Sequence, residues 1–319
     1  MIYSIRNLAN IIFKIKGSSK SRRNLFLSIS VLLAGVFFLD IMGVFIKYLG
    51  ETYTPTFLAV ARNFFGFLPI FIMLFISKNQ KTASVRISRT SFGLILIRGL
   101  SITGAQFCFY LALIKLEFAT ASTLAFAGPF FLTALSIPIL GAKVGIWRWS
   151  AVILGFFGII LIMGVGSDVF TIYAFLPLGA ALGYAISSVI VKLFPVELPT
   201  AKIQFNSQIF TIISAATLMY FFDGYTPINS VIDLVLIAVM GFSGGLGVIC
   251  LITAYRMSEP SIVAPFEYFG IPLAILLGWI FFAEFPISQL FPGVLLIFAA
   301  GIMIIWREEK NKESKSTKI

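Results

Sequence analysis

Apolar runs of about twenty residues recur along the whole chain, and short polar stretches carrying most of the charge separate them. A helix needs roughly twenty such residues to cross about 30 Å of hydrocarbon. The pattern predicts ten spans, at about 26–48, 55–77, 92–114, 119–141, 148–165, 170–193, 205–222, 230–253, 261–283 and 289–306. The expected fold is therefore an all-α multi-pass membrane protein. Residues 1–25 form a basic N-terminal segment, either an amphipathic helix on the lipid surface or a disordered tail, and 307–319 a basic C-terminal tail.

Composition sharpens this reading. Of the 319 residues 59% are hydrophobic and only 12% charged, with a mean hydropathy of +1.01; a soluble domain carries about 25% charged residues. The net charge of +11 does not point to nucleic acid, because the basic residues cluster in the tails and between the spans. With the N-terminus inside, Lys and Arg concentrate in the cytoplasmic segments, and only Lys47 and Lys115 fall outside. That bias predicts a cell-membrane protein with both termini in the cytoplasm. No small-residue cleavage site follows the basic start. Histidine is absent, and Cys108 and Cys250 lie singly in apolar runs. Hence no disulfide framework, metal centre, nucleotide motif or cofactor is expected, GFSGGLG at 241–247 included.

The two halves of the sequence resemble each other. FIKYL at 45–49 recurs as IVKLF at 190–194, Pro55-Thr56 as Pro199-Thr200, and Ala142-Lys143 as Ala283-Glu284. Gly99 and Ala112 match Gly241 and Ala254 at nearly the same offset. We read repeats at 26–165 and 170–306. Five spans per repeat force the halves into opposite orientations, the arrangement by which many secondary transporters build two gates around one site.

Ionisable residues at membrane depth are functional candidates by default, because their burial is costly unless they face a cavity or a partner. Asp40, Arg62, Arg98 and Glu267 qualify, Glu267 lying between Pro265 and Pro272 in a segment expected to be discontinuous. At ~1.5 Å of rise per residue, Asp40 and Arg62 share the outer half, and Arg98 and Glu267 share a level nearer the cytoplasm. Two charge layers follow as expectations, Asp40 with Arg62 and Arg98 with Glu267. The alternative is that the arginines snorkel to their nearer interfaces. Lys47 is either functional or an interfacial anchor. Tyr184, Ser187, Ser188, Asn206, Gln208, Tyr255 and Tyr268 form a candidate binding wall, although tyrosines near span ends also serve as interfacial anchors. Gly179/Gly183 and Gly241/Gly245 have the spacing that lets helices approach closely.

The RGLSITGAQFCFYLALIKLEFATASTLAFAGPFF run at 98–131 and APFEYFGIPLAILLGWIFFAEFP at 264–286 resemble the drug/metabolite transporter superfamily, in its EamA-like branch. The resemblance covers about 26–306. It implies ten helices in inverted repeats, a central cavity lined by the first four spans of each half, and peripheral fifth spans that could face a second copy in a homodimer. Members often carry a small-Gly-Glu motif after each fourth span; here Glu284 in FAEFP keeps it, while LGAKV places Lys143 there. APFEY with Arg62 and Arg98 also resembles the S-adenosylmethionine uptake carriers of this superfamily, and is similar to carriers for amino acids, carboxylates and opine-like metallophores.

The function expected is secondary transport of a small polar or charged metabolite by alternating access, with an S-adenosylmethionine-like compound or an amino acid or amine derivative as substrate. Coupling to protons or to a counter-substrate is left open. The alternatives are a passive pore, a membrane-embedded enzyme, which the absence of histidine disfavours, and a scaffold without transport.

Overall fold

The computed structural model describes residues 2–76, 87–141, 145–163, 171–195, 197–258, 263–285, 290–300 and 302–303. The basic segment 78–86, Lys143 and the tail 307–319 lie outside the described residues. Among those described there is helix and no strand. The first helix, α1 (Ile2–Leu49), continues the N-terminal segment into the first apolar run. There follow α2 (Pro55–Phe65), α3 (Phe67–Ile76), α4 (Arg89–Lys115), α5 (Phe118–Ala125), α6 (Gly128–Leu140) and α7 (Ile146–Met163). The second half contributes α8 (Phe175–Val191), α9 (Thr200–Phe222), α10 (Val231–Met257), a 3₁₀ turn (Ala264–Phe269), α11 (Gly270–Phe282) and α12 (293–300).

Seven helical segments are long and apolar enough to cross a membrane, and Trp149–Ile162 and Phe266–Phe282 are shorter apolar helices. This is a multi-pass membrane architecture. Large apolar side chains such as Phe37, Phe92, Ile97, Leu100, Ile153 and Phe157 stand exposed on its surface, as they must where hydrocarbon is the solvent.

The sequence starts its helices locally. Thr54 caps α2, its Oγ1 accepting the Phe57 amide at 3.3 Å, with Pro55 supplying the first turn. Ser88 caps α4 through the Ser91 amide at 3.1 Å, and Ser230 caps α10 through the Asp233 amide at 3.0 Å. Glycines then allow the helices to approach. A Cβ on Gly35 would lie 3.1 Å from the Gly247 carbonyl and one on Gly247 3.0 Å from the Gly35 carbonyl, so α1 and α10 cross backbone to backbone. Gly158 on α7 and Gly293 on α12 make a second reciprocal crossing, at 2.6 and 2.4 Å by the same measure. The two fifth spans expected to be peripheral thus pack on one another. Gly241 and Gly245 seat α10 against Phe65, Gly66 and Pro69, and Gly183 seats α8 against Ser101 and Ala105.

Each half has one span broken and capped in the same register. The chain turns at Phe126–Ala127 between α5 and α6, and at the 3₁₀ turn before α11. α6 ends on Gly141 with φ +63°, and α11 ends on Ala283 with φ +54°. A left-handed conformation costs a residue with a Cβ roughly 1–2 kcal/mol. Ala283→Gly is therefore expected to raise the melting temperature slightly, by up to about 1 kcal/mol of stability after the greater freedom of glycine in the unfolded chain is set against it. A fall in melting temperature would show that the Ala283 backbone is not strained.

Candidate functional site

Two apolar cores flank a cavity. One gathers Met42, Ile46, Leu58, Tyr110, Leu113 and Met240 from α1, α2, α4 and α10. The other gathers Leu124, Ile159, Tyr268, Ile271 and Ile297 from α5, α7, the 3₁₀ turn, α11 and α12. Each draws residues from both halves of the chain. Beside them lies a cavity of about 240 Å³, walled by faces of α1, α2, α4, α5, α6, α8, α9 and α10 and by the 3₁₀ turn.

Of the candidate residues, the ionisable and tyrosine side chains that line it are Asp40, Arg62, Arg98, Tyr184, Tyr255 and Glu267. Ser187, Ser188 and Gln208 line it too, as do Gln106, Gln204 and Ser122, which the sequence reading did not single out. The helical period explains this grouping. On α9, Gln204 and Gln208 are four residues apart and share a face, whereas Asn206 lies between them and its side-chain amide donates to the Lys202 carbonyl at 2.7 Å. Tyr268 follows Glu267 and turns away, 2% exposed, against Phe126 and Phe130. Asn206, Tyr268 and Lys47 do not line the cavity.

The expected charge layers do not form as pairs. Arg62 is engaged by other groups: Nη2 donates to the Gly244 carbonyl at 2.8 Å, Nη1 to Asn63 Oδ1 at 2.9 Å, and Nε to the Met42 sulfur at 3.3 Å. The absent Cβ of Gly244 lets the guanidinium reach α10, since a Cβ there would come within 2.7 Å of Nε. Asp40, at a similar height, is not among its partners, and its buried Oδ2 accepts no hydrogen bond. Arg98 donates through Nη2 to Gln204 Oε1 at 2.9 Å, while Nε and Nη1 have no acceptor. Glu267 instead accepts a hydrogen bond from the Tyr255 hydroxyl across the gap between α10 and the 3₁₀ turn. Rotation about the helix axis, which selects the partner, was not legible in the sequence.

A chain of side-chain amides runs behind these charges. Gln204 Nε2 donates to Gln208 Oε1 at 3.3 Å, Gln208 Nε2 to Asn63 Oδ1 at 3.0 Å, and Asn63 Nδ2 to Gln106 Oε1 at 2.7 Å. All four residues are buried. A satisfied network of this kind fixes side-chain orientation more firmly than isolated bonds do.

Lys47 has a separate place at one end of the cavity, beyond Phe118. Its ammonium lies 2.6 Å from Glu284 Oε1 and 2.8 Å from the Leu116 carbonyl, over the ring of Phe282. Glu284 Oε2 accepts the Phe118 amide at 2.7 Å, the first amide of α5. A carboxylate at a helix N-terminus satisfies an orphan donor and complements the dipole. Glu284 thus does more than end its own helix: it ties α1 and the start of α5 to the end of α11.

Residues 26–164, from the first apolar run to the end of α7, match the model of the EamA-like transporter family. This unit is EamA-like. Beyond it, the chain is 27% identical to the S-adenosylmethionine uptake transporter of Rickettsia prowazekii, over 84% of this chain and 89% of that protein. It is 28% identical to the riboflavin transporter of Vibrio cholerae, over 74% and 80%, and 27% identical to the pseudopaline exporter of Pseudomonas aeruginosa, over 84% and 92%. A crystal structure covering 88% of this chain and 98% of its own superposes with a TM-score of 0.62 at 16% identity, a likeness of fold alone. The EamA-like unit and the transporter-named relatives point to transport and not to catalysis.

Proposed function

We propose that this protein is a secondary carrier that moves a small polar or charged metabolite across the cell membrane by alternating access. In this reading ten spans form two inverted five-span repeats, with both termini in the cytoplasm. The observation that carries it is the cavity lined by ionisable and amide side chains from both halves of the chain. The matched breaks at Phe126–Ala127 and Ala264–Phe269, and the left-handed caps at Gly141 and Ala283, support the internal repeat. The relatives are named for S-adenosylmethionine, riboflavin and pseudopaline, which favours a small polar metabolite as substrate. An S-adenosylmethionine-like compound or an amino acid or amine derivative fits that range. Uptake and export both occur among these relatives, so direction does not follow from them.

The tie between Lys47 and Glu284 is then the closure of the outer end, which an alternating-access cycle must break and remake. A passive pore has no use for it. Saturable counterflow of a labelled metabolite in proteoliposomes tests the carrier; a flux that rises linearly with concentration and shows no counterflow would identify a pore instead. A thermal-shift screen of the purified protein against metabolite pools selects the compound to label, because a ligand of the folded state raises apparent stability.

Glu267 is the candidate for proton coupling, held by Tyr255 at the cavity wall. Glu267→Gln keeps the size of the side chain and removes its titration. It is expected to flatten the dependence of transport on pH, and an unchanged pH profile in this variant would reject the coupling role.

A further inference from the structure

Two buried charges of opposite sign line the cavity with a polar valence unfilled. Asp40 is 9% exposed and its Oδ2 accepts nothing; Arg98 is 3% exposed and its Nε and Nη1 donate to nothing. A buried charge without a counter-charge is strongly unfavourable, and among the described residues no ion pair joins these two. Arg62 is not paired with Asp40 either: its guanidinium is directed to the Met42 sulfur, Asn63 Oδ1 and the Gly244 carbonyl. Arg98 is also tethered through Nη2 to the amide chain of Gln204, Gln208 and Asn63, which restrains its guanidinium at the cavity wall.

The two groups sit at different levels. Asp40 belongs to the turn of α1 that carries Met42 and Gly43, which meet Arg62 and Phe118. Arg98 meets Gln204, one turn of α9 before the Gln208 that reaches Asn63 beside Arg62. One helical turn is about 5.4 Å along the axis, so the cavity presents a cation receptor and an anion receptor at separate heights.

Resting on the carrier reading, we propose that one substrate supplies both missing partners, an anionic group to Arg98 and a cationic group to Asp40. The site is built for a zwitterion with separated charges, in preference to a neutral solute or a simple ion. Arg98 and Asp40 determine specificity, while Arg62 serves as a fixed strut.

The test uses the purified full-length protein and ω-amino acids, from glycine to 8-aminooctanoate, with binding read by titration calorimetry. Alkylammonium and alkylcarboxylate ions of matching length are the controls. At least one zwitterion is expected to bind about thirtyfold or more tightly than both of its singly charged counterparts, the factor expected for one desolvated charge contact. Arg98→Gln is expected to erase the advantage over the alkylammonium ion, and Asp40→Asn the advantage over the alkylcarboxylate. Arg98→Lys and Asp40→Glu keep the charges and are expected to retain the preference if the neutral variants fold poorly.

Singly charged ligands that bind as tightly as the zwitterions overturn the proposal. So does failure of the whole series to bind, or an Asp40→Asn variant that keeps the full preference. Counterflow separates this from the carrier reading: exchange of a neutral or singly charged solute alone leaves the carrier standing and removes the zwitterion. Zwitterion binding with no solute exchanged removes the carrier alone.

Discussion

Glu284→Ala is expected to slow transport by about tenfold or more and to open the outer end of the cavity to reagents added from that side. The variant strands two groups at once. The Lys47 ammonium keeps only the Leu116 carbonyl and the face of Phe282, and the Phe118 amide loses its acceptor. The Lys47 and Glu284 side chains are 14% and 21% exposed, so solvent screens the pair only in part. Glu284→Gln keeps an oxygen for the Phe118 amide and loses the charge, and its defect is expected to fall between that of alanine and wild type. Exchanging the two residues is expected to rescue little, because a carboxylate at position 47 would face the Leu116 carbonyl and an ammonium at 284 the Phe118 N–H. The opening can be read directly. In a background lacking Cys108 and Cys250, Ser122→Cys places a thiol in the cavity wall. Its labelling by a membrane-impermeant reagent from outside is expected to speed up when Glu284 is alanine. Unchanged labelling would mean that this tie does not close the outer end.

Arg62→Ala is expected to act on folding, and Arg98→Ala on transport. Arg62 joins α2 to α10 and α1 through two contacts and braces Asn63 of its own helix with a third, all in a buried setting. Hydrogen bonds to charged groups contribute about 1.5–3 kcal/mol each, so truncation there is expected to remove about 3 kcal/mol or more of stability. The loss should appear as a lower melting temperature and a smaller yield of monodisperse protein. Arg98 makes one protein hydrogen bond, and its removal relieves a buried charge of which two nitrogens are unsatisfied. Arg98→Ala is expected to insert and fold with a melting temperature near wild type and to carry no substrate above background. Equal melting temperatures for both variants would contradict this division, as would transport retained without Arg98.

Much of this was legible before any coordinate. Apolar run length located the seven long apolar helices, and the cost of burying charge singled out Asp40, Arg62, Arg98 and Glu267, all of which line the cavity. What one-dimensional reasoning missed were rotations and neutral polar groups. Charges at equal height invite pairing on paper, yet the Gly244 carbonyl was nearer to Arg62 than any carboxylate, a fact that depends on how closely α10 packs on α2. Gln106 and Gln204 escaped because an uncharged amide in an apolar helix reads as ordinary helix-packing polarity. The spacing of Gln204 and Gln208 was the available clue, placing two amides on one face with Asn206 opposite. Lys47 was ambiguous because its partner lies in the other half of the chain, at a helix end set by the left-handed turn of Ala283.

The crossing of Gly35 with Gly247 has a consequence for how the chain is made. α1 is made long before α10, yet the surface that its Gly35 fits belongs to α10. Until then the groove along Gly35 must be filled by lipid, by an insertion factor or by a neighbouring helix held temporarily. Assembly therefore cannot proceed strictly in order of synthesis, and the first half waits in the membrane for the second to complete it.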